Sequence, residues 1–183
     1  MLHNRIGQPT SGNLVTPPTR ATQLKRDEIV QRVAQHLVSE GFENSGIRAL
    51  AASAGISDRM LMYYFETKED LIAQALLLLA DGMAAALDDL IPKGRASAAQ
   101  IIAASTREAE QSDLQRGTLM LWFEIIGRSI RGDEPYRSAA NQILCNYEQW
   151  IADKLPPSQK SRARDVLAQI EGQLMLQLLT KKP

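Results

Sequence analysis

From about Thr22 onward, apolar residues recur every three to four positions, and no run alternates convincingly with the two-residue period of a strand. The pattern predicts an all-α protein. Ile29, Val33 and Leu37 are four apart and mark one face of a first helix, which Gly41 ends and Phe42 covers by folding back. Ser45 is placed to cap a short second helix that turns Ile47, Leu50, Ala51 and Ala54 inward. Gly55 supplies the left-handed conformation of a tight turn, with Ile56 in the corner. Ser57 caps a third short helix whose Leu61 and Phe65 face the core. Thr67 then caps a long helix over 68–91, with Glu69 and Asp70 at its positive end and a stripe through Leu71, Ala75, Leu79, Met83, Leu87 and Leu90.

Further helices are expected over about 98–111, 114–131 and 158–179, and from an Asp133 cap to about Leu155, with breaks at PKGRAS (92–97) and Pro156-Pro157. Residues 1–21 have no periodicity, and Pro17-Pro18 forbids a helix, so they read as a flexible arm. The chain thus divides into an arm at 1–21, a three-helix unit at 22–67 and a larger helical domain at 68–183.

Two short helices joined by a glycine turn and braced by an earlier helix make a helix-turn-helix. Once Leu61 and Phe65 are committed to the core, Asp58, Arg59, Met60, Met62, Tyr63 and Tyr64 are left to face a partner. Charge changes this picture only locally. Twenty-one basic residues balance 21 acidic ones, so there is no general affinity for nucleic acid, but the first 26 residues hold Arg5, Arg20, Lys25 and Arg26 and no acid.

Residues 26–71 resemble the N-terminal domain of the TetR family of bacterial one-component regulators. The shared features are Ile29, Gly41-Phe42, Leu50-Ala51, Ala54-Gly55-Ile56-Ser57, Leu61, Tyr64-Phe65, Lys68-Glu69 and Leu71. The resemblance implies an N-terminal DNA-binding domain and a C-terminal helical ligand-binding and dimerisation domain. It implies a cytoplasmic homodimer that binds a double-stranded operator and releases it when a small molecule enters. DNA contact is carried to Arg48, Asp58, Arg59, Met60, Tyr63, Tyr64 and Lys68, with the capping residues Ser45 and Ser57 on the same surface. Arg59 could take guanine O6 and N7 together, and Asp58 could accept from cytosine N4. Most members have a small residue at 59, Ser or Thr at 60 and Tyr at 62. Here Arg59, Met60 and Met62 stand there, so either an atypical operator or modest affinity is expected. The basic arm could enter a minor groove beside it.

The helix TLMLWFEIIGRSI (118–130) supplies Met120, Trp122 and Phe123, which with Met83, Tyr147, Trp150 and Met175 can line a cavity for a hydrophobic effector. Glu124 stands alone in that run. Either it faces solvent beside Arg128 or it recognises a cationic or hydroxylated ligand. The last helix has two apolar stripes. Val166, Ile170, Leu174 and Leu178 form one; Ala168, Gly172, Met175 and Leu179 form a second that meets either another copy of the chain or the monomer's own core.

Remaining chemistry is sparse. Cys145 is the sole cysteine, which excludes an internal disulfide, fits a reducing cytosol and reads as a buried small hydrophobe. His3 and His36 cannot be paired with it as a base, and no glycine-rich phosphate loop or metal-ligand spacing occurs. No catalysis, cofactor or metal is expected. No stretch reads as long enough to span a bilayer, and no signal peptide is evident, so an intracellular protein is expected. Two functions fit: a ligand-responsive DNA-binding regulator, most simply a repressor, or a helical dimer without specific DNA binding that acts through protein or small-molecule contacts.

Overall fold

The computed structural model describes residues 19–91, 94–108 and 112–180, so nearly all of the expected arm lies outside the described residues. Eight α-helices follow one another: α1 (Arg20–Glu40), α2 (Ile47–Ala54), α3 (Asp58–Tyr64), α4 (Lys68–Leu90), α5 (Ala98–Glu108), α6 (Asp113–Ile130), α7 (Tyr136–Lys154) and α8 (Ala163–Thr180). Among the described residues there is no strand.

Local chemistry accounts for most boundaries. The Ser57 hydroxyl accepts from the Met60 amide at 3.3 Å and the Thr67 hydroxyl from the Asp70 amide at 3.1 Å, which fixes the starts of α3 and α4. Gly55 ends α2 at φ 70, ψ 31, where its amide bonds back to Ala51 and Ala52. Gly41 closes α1 at φ 76.

Several expectations need correction. Ser45 does not cap α2: Gly46 holds the N-cap position without a side-chain bond, and Ser45 is 4 % exposed, below a 3-10 turn at Phe42–Asn44. Asp133 does not cap α7; Pro135 precedes the helix, and Glu134 instead accepts from the Ser138 hydroxyl at 2.8 Å. The segment expected to begin the last helix at Ser158 is a 3-10 stretch, Pro157–Arg162, because the proline pair tightens the first turn. Cys145 is exposed rather than buried, on the outer side of α7. By length and composition α4 could cross a bilayer, contrary to expectation. About 33% of that apolar window is buried within the fold, where α4 packs on α1, α5 and α7, and Leu78 is exposed.

Two cores result. The first joins α1, α2, α3 and the start of α4 through Ile29, Val33, Leu37, Leu50, Leu61 and Phe65, and it continues into Leu121 and Ile125 of α6 and Tyr136 of α7. It therefore crosses the boundary drawn at residue 67. The second joins α5, α6, α7 and α8 around Ile101, Leu119, Ile151, Leu155, Ile170 and Leu174. Trp122 packs against both.

Candidate nucleic-acid interface and ligand cavity

At the N-terminal end, α1 does more than cover the hydrophobic face of α2 and α3. Arg32 reaches across to donate to the Ala54 carbonyl at 3.3 Å, and Arg26 donates to the Tyr64 carbonyl while its guanidinium lies 4.6 Å from the Phe65 ring centre. Each arginine thus satisfies a carbonyl left open at a helix C-terminus, where positive charge is also favoured by the helix dipole. These positioning residues were missed in the sequence, because on α1 they fall outside the apolar stripe and look like ordinary solvated charge.

With α3 held from behind, Leu61 and Phe65 are buried as expected. The opposite side presents Arg59, Met60, Met62 and Tyr63, all exposed; Tyr63 is 74 % exposed. Tyr64 is half-buried, packs against the first core and meets Tyr63 edge-on at 5.2 Å between ring centres. Arg48, at the start of α2, is almost fully exposed and lies 3.9 Å from the Asp58 carboxylate at the start of α3. Lys68 begins α4 beside Glu69 at 3.3 Å. Arg48, Ser57, Asp58, Arg59, Met60 and Tyr63 thus lie on the two short helices and the turn between them, Lys68 follows at the start of α4, and Ser45 is buried. A seven-residue helix with an unobstructed outer face is of the right size for a major groove.

In the larger domain, a cavity of about 120 Å³ opens between α4, α6, α7 and α8. The middle of α4 forms one wall, through Leu76, Leu79, Met83 and Leu87. That is why its stripe is fully buried near Leu71 and Ala75 but only half-buried at Leu79 and Met83. Leu121 and Trp122 of α6, Ile143, Tyr147 and Trp150 of α7, and Leu174 of α8 complete most of the lining. Each large aromatic side chain is tied at its polar tip to a different helix. Trp122 Nε1 donates to Glu171 Oε2 at 2.9 Å, Trp150 Nε1 donates to Asp88 Oδ1 at 2.7 Å, and the Tyr147 and Ser105 hydroxyls share a bond at 2.7 Å. Lys154 also meets Asp88 at 2.7 Å. The Asp88 carboxyl lies below its ordinary range, chiefly through the Lys154 bond. Burial pushes the Tyr147 phenol up to about 12, against the pull of Ser105.

Of the expected pocket residues, Met83, Trp122, Tyr147 and Trp150 line this cavity. Four do not. Met120 is 56 % exposed and Met175 is 45 % exposed, each on the outer side of its helix. Phe123 packs against the second core instead. Glu124 is exposed and lies 3.5 Å from Arg128, the solvent-facing arrangement. The carboxylate that does reach the cavity is Glu171, on α8, whose charged form burial disfavours. Sequence offered one weak signal for it: position 171 follows Val166, Leu167 and Ile170 on the buried side of the helix.

On α8, Val166, Leu167, Ile170 and Leu174 are buried, and Leu178 packs partly against them. Ala168, Met175 and Leu179 are exposed, Leu179 at 76 %, and Gly172 is half-buried. Leu176, overlooked in the sequence, adds to this outer stripe.

A braced helix-turn-helix on an all-α body with an open-sided cavity is an architecture suited to a DNA-binding regulator. Residues 31–75 match the sequence model of bacterial regulatory proteins, tetR family. Solved structures agree in fold. A transcriptional regulator from Rhodococcus sp. Rha1 superposes with a TM-score of 0.68 at 19% identity, over 85% of this chain and 84% of that one. The multidrug binding protein EbrR complexed with proflavin gives 0.67 at 21% identity, over 87% and 91%. A Saccharomonospora viridis protein in complex with choline gives 0.64 at 21% identity, over 87% and 88%. No curated protein sequence matches the chain.

Proposed function

We propose that the protein is a cytoplasmic, homodimeric transcriptional regulator, a repressor that leaves a pseudo-palindromic operator when a small, largely apolar effector enters the cavity. One observation carries the reading: α4 is shared. Thr67 and Lys68 begin it directly after α3, and the same helix walls the cavity from Leu76 to Leu87. Lys68 and Met83 are fifteen residues apart, about 22 Å along a helix. A ligand that displaces the middle of α4 therefore re-aims the segment that carries α3. Two recognition helices must match half-sites about 34–36 Å apart, so a shift of a few ångströms loses several phosphate contacts together.

The match to a family of bacterial regulatory proteins supports the DNA-binding half of the proposal. The bound proflavin and choline in proteins of the same fold support the ligand-binding half. The stripe of exposed Ala168, Met175 and Leu179, with half-buried Gly172 between them, supports pairing through α8. A dimer without specific DNA binding is the second reading, favoured by Asp58, which lies beside Arg48 and offsets its charge on the very face that would meet phosphate.

The test is selection of randomised duplex DNA by the purified protein at physiological salt. Enrichment of a pseudo-palindrome with half-sites one turn apart is the expected result. A folded dimer that enriches nothing, and whose weak DNA binding is insensitive to salt, would leave the second reading standing.

A further inference from the structure

We propose that the cavity selects a lipophilic cation, with Glu171 as the counter-ion and Trp122, Tyr147 and Trp150 as the surrounding aromatic wall. The inference rests on the cavity being the effector site.

The charges on its wall have one sign. Among the described residues, Asp81 and Glu171 are the charged groups that line it, and no lysine or arginine does. Ser105, Thr118 and Asn146 add neutral polarity. Asp81 is exposed, on the solvent side of α4, whereas Glu171 is half-buried between α6 and α8. One carboxylate thus stands at an outer edge and the other deeper inside.

A carboxylate in such a place is costly. The hydrogen bond from Trp122 reaches Oε2, and no other hydrogen bond to the carboxylate is found among the described residues. Tyr147, Ser105 and Thr118 are the titratable or hydroxyl groups on neighbouring walls, and none carries a compensating positive charge. The Ser105 hydroxyl bonds to Tyr147 and to the Ile101 carbonyl, and Thr118 donates to the Leu114 carbonyl. They are committed elsewhere. An ionised Glu171 therefore lacks a counter-charge, and a ligand cation supplies one at the point where water is scarce and the Coulomb term largest.

Aromatic rings reinforce the same preference. Trp and Tyr faces attract cations, and here Trp122, Tyr147 and Trp150 are held in place by their tips, so little side-chain entropy is lost on binding. Lys154 already lies 5.7 Å from the Trp150 ring centre, so Trp122 and Tyr147 carry most of this preference. The remaining lining is aliphatic, which suits a hydrocarbon body more than a free inorganic ion. An apolar cavity of ~150 Å³ admits benzene, so about 120 Å³ holds roughly one ring or one ammonium head, and the open side leaves the rest of a one-ring ammonium compound toward solvent. If Glu171 is protonated before binding, the cation releases that proton to solvent, and no other exchange is needed.

The chain contains two tryptophans, Trp122 and Trp150, and both line the cavity, so intrinsic fluorescence reports its occupancy directly. The protein is titrated with trimethylphenylammonium and with tert-butylbenzene, which share a shape and differ in charge. The cation is expected to bind more tightly by about tenfold or more. In Glu171→Gln, which keeps an acceptor for Trp122 and loses the charge, the ratio should fall several-fold, leaving only the preference of the aromatic rings, with thermal melting confirming the fold. A wild-type ratio near one, or a ratio unchanged in Glu171→Gln, overturns the assignment of charge. Binding of tert-butylbenzene alone overturns it too while leaving the cavity as the effector site. If neither compound quenches, both the cation preference and the effector-cavity reading fall.

Discussion

A Cβ on Gly117 would lie 2.8 Å from the Val38 carbonyl oxygen and 2.9 Å from Val38 Cγ1. Helix α6 thus crosses α1 at a distance that only glycine permits, one residue before Thr118 and a turn before Leu121 and Trp122 enter the cavity. This is a second connection between the cavity and the DNA-binding domain, beside α4. Arg128 makes a third from the same helix, with its guanidinium 4.0 Å from the Phe42 ring centre, and Phe42 meets Tyr136 edge-on at 5.4 Å. Gly117→Ala must push α6 from backbone rather than from a flexible side chain, at an expected cost of about 1–3 kcal/mol. Gly82→Ala, in the middle of α4 with open space around it, should instead stabilise by roughly 0.5–1 kcal/mol. Chemical denaturation of the two variants checks the contrast. Equal effects would mean that the α1–α6 contact relaxes without strain.

Arg59 and Lys68 separate base reading from phosphate anchoring. Arg59 is exposed in the first turn of α3, whereas Lys68 sits at the N-terminus of α4, where backbone donors also face outward. On a selected operator, Arg59→Ala should cost about 1–3 kcal/mol and relax one base position per half-site. Lys68→Ala should weaken all sequences alike and lower the salt slope by about one per subunit. Titrations on the operator and on base-substituted duplexes distinguish the two. Loss of discrimination in the lysine variant would reverse their roles.

Dimerisation is carried, in this proposal, by the outer stripe of α8. Met175 and Leu179 are exposed in the single chain, so replacing both with glutamate should leave the fold's own stability almost unchanged, within about 0.5 kcal/mol. The same change puts like charges across a two-fold interface, and sedimentation should find a monomer where the unmodified protein is a dimer. A dimer that survives both substitutions would move the interface to another face.

The legible part of the fold is the part in which local chemistry is decisive. Gly55 needs a left-handed turn, Ser57 and Thr67 have amides to cap, and Leu61 and Phe65 are spaced to bury together; each is a matter of a few neighbouring residues. The cavity was less legible because its wall is decided by helices far apart in sequence. Glu124 and Glu171 are both isolated carboxylates in apolar helices. Only packing tells that α6 turns Glu124 out to Arg128 while α8 turns Glu171 in to Trp122, 49 residues away. The same limit hid Arg26 and Arg32, whose partners are backbone carbonyls on other helices. Cys145 was misread as core because α7 exposes it while turning its neighbour Leu144 toward the second core.

Glu171 also sets a pH dependence. Burial raises its carboxyl above the ordinary range, and the Trp122 bond opposes that only in part. As pH rises, the folded protein therefore keeps a proton that the unfolded chain has already lost. The stabilising contribution is complete below the ordinary glutamate range and disappears as pH rises through the elevated folded value. Above that point the fold carries an ionised, poorly solvated carboxylate. Glu171→Gln removes the titration while keeping the shape. Its melting temperature relative to the unmodified protein should therefore climb as pH rises above the ordinary glutamate range, with most other carboxylates cancelling in the difference. Trimethylphenylammonium should narrow that gap at the upper end, because it gives the ionised carboxylate a counter-charge. A melting difference that stays flat with pH would mean that water already solvates Glu171, and a gap that closes as pH rises would mean that its pKa is lowered by the fold.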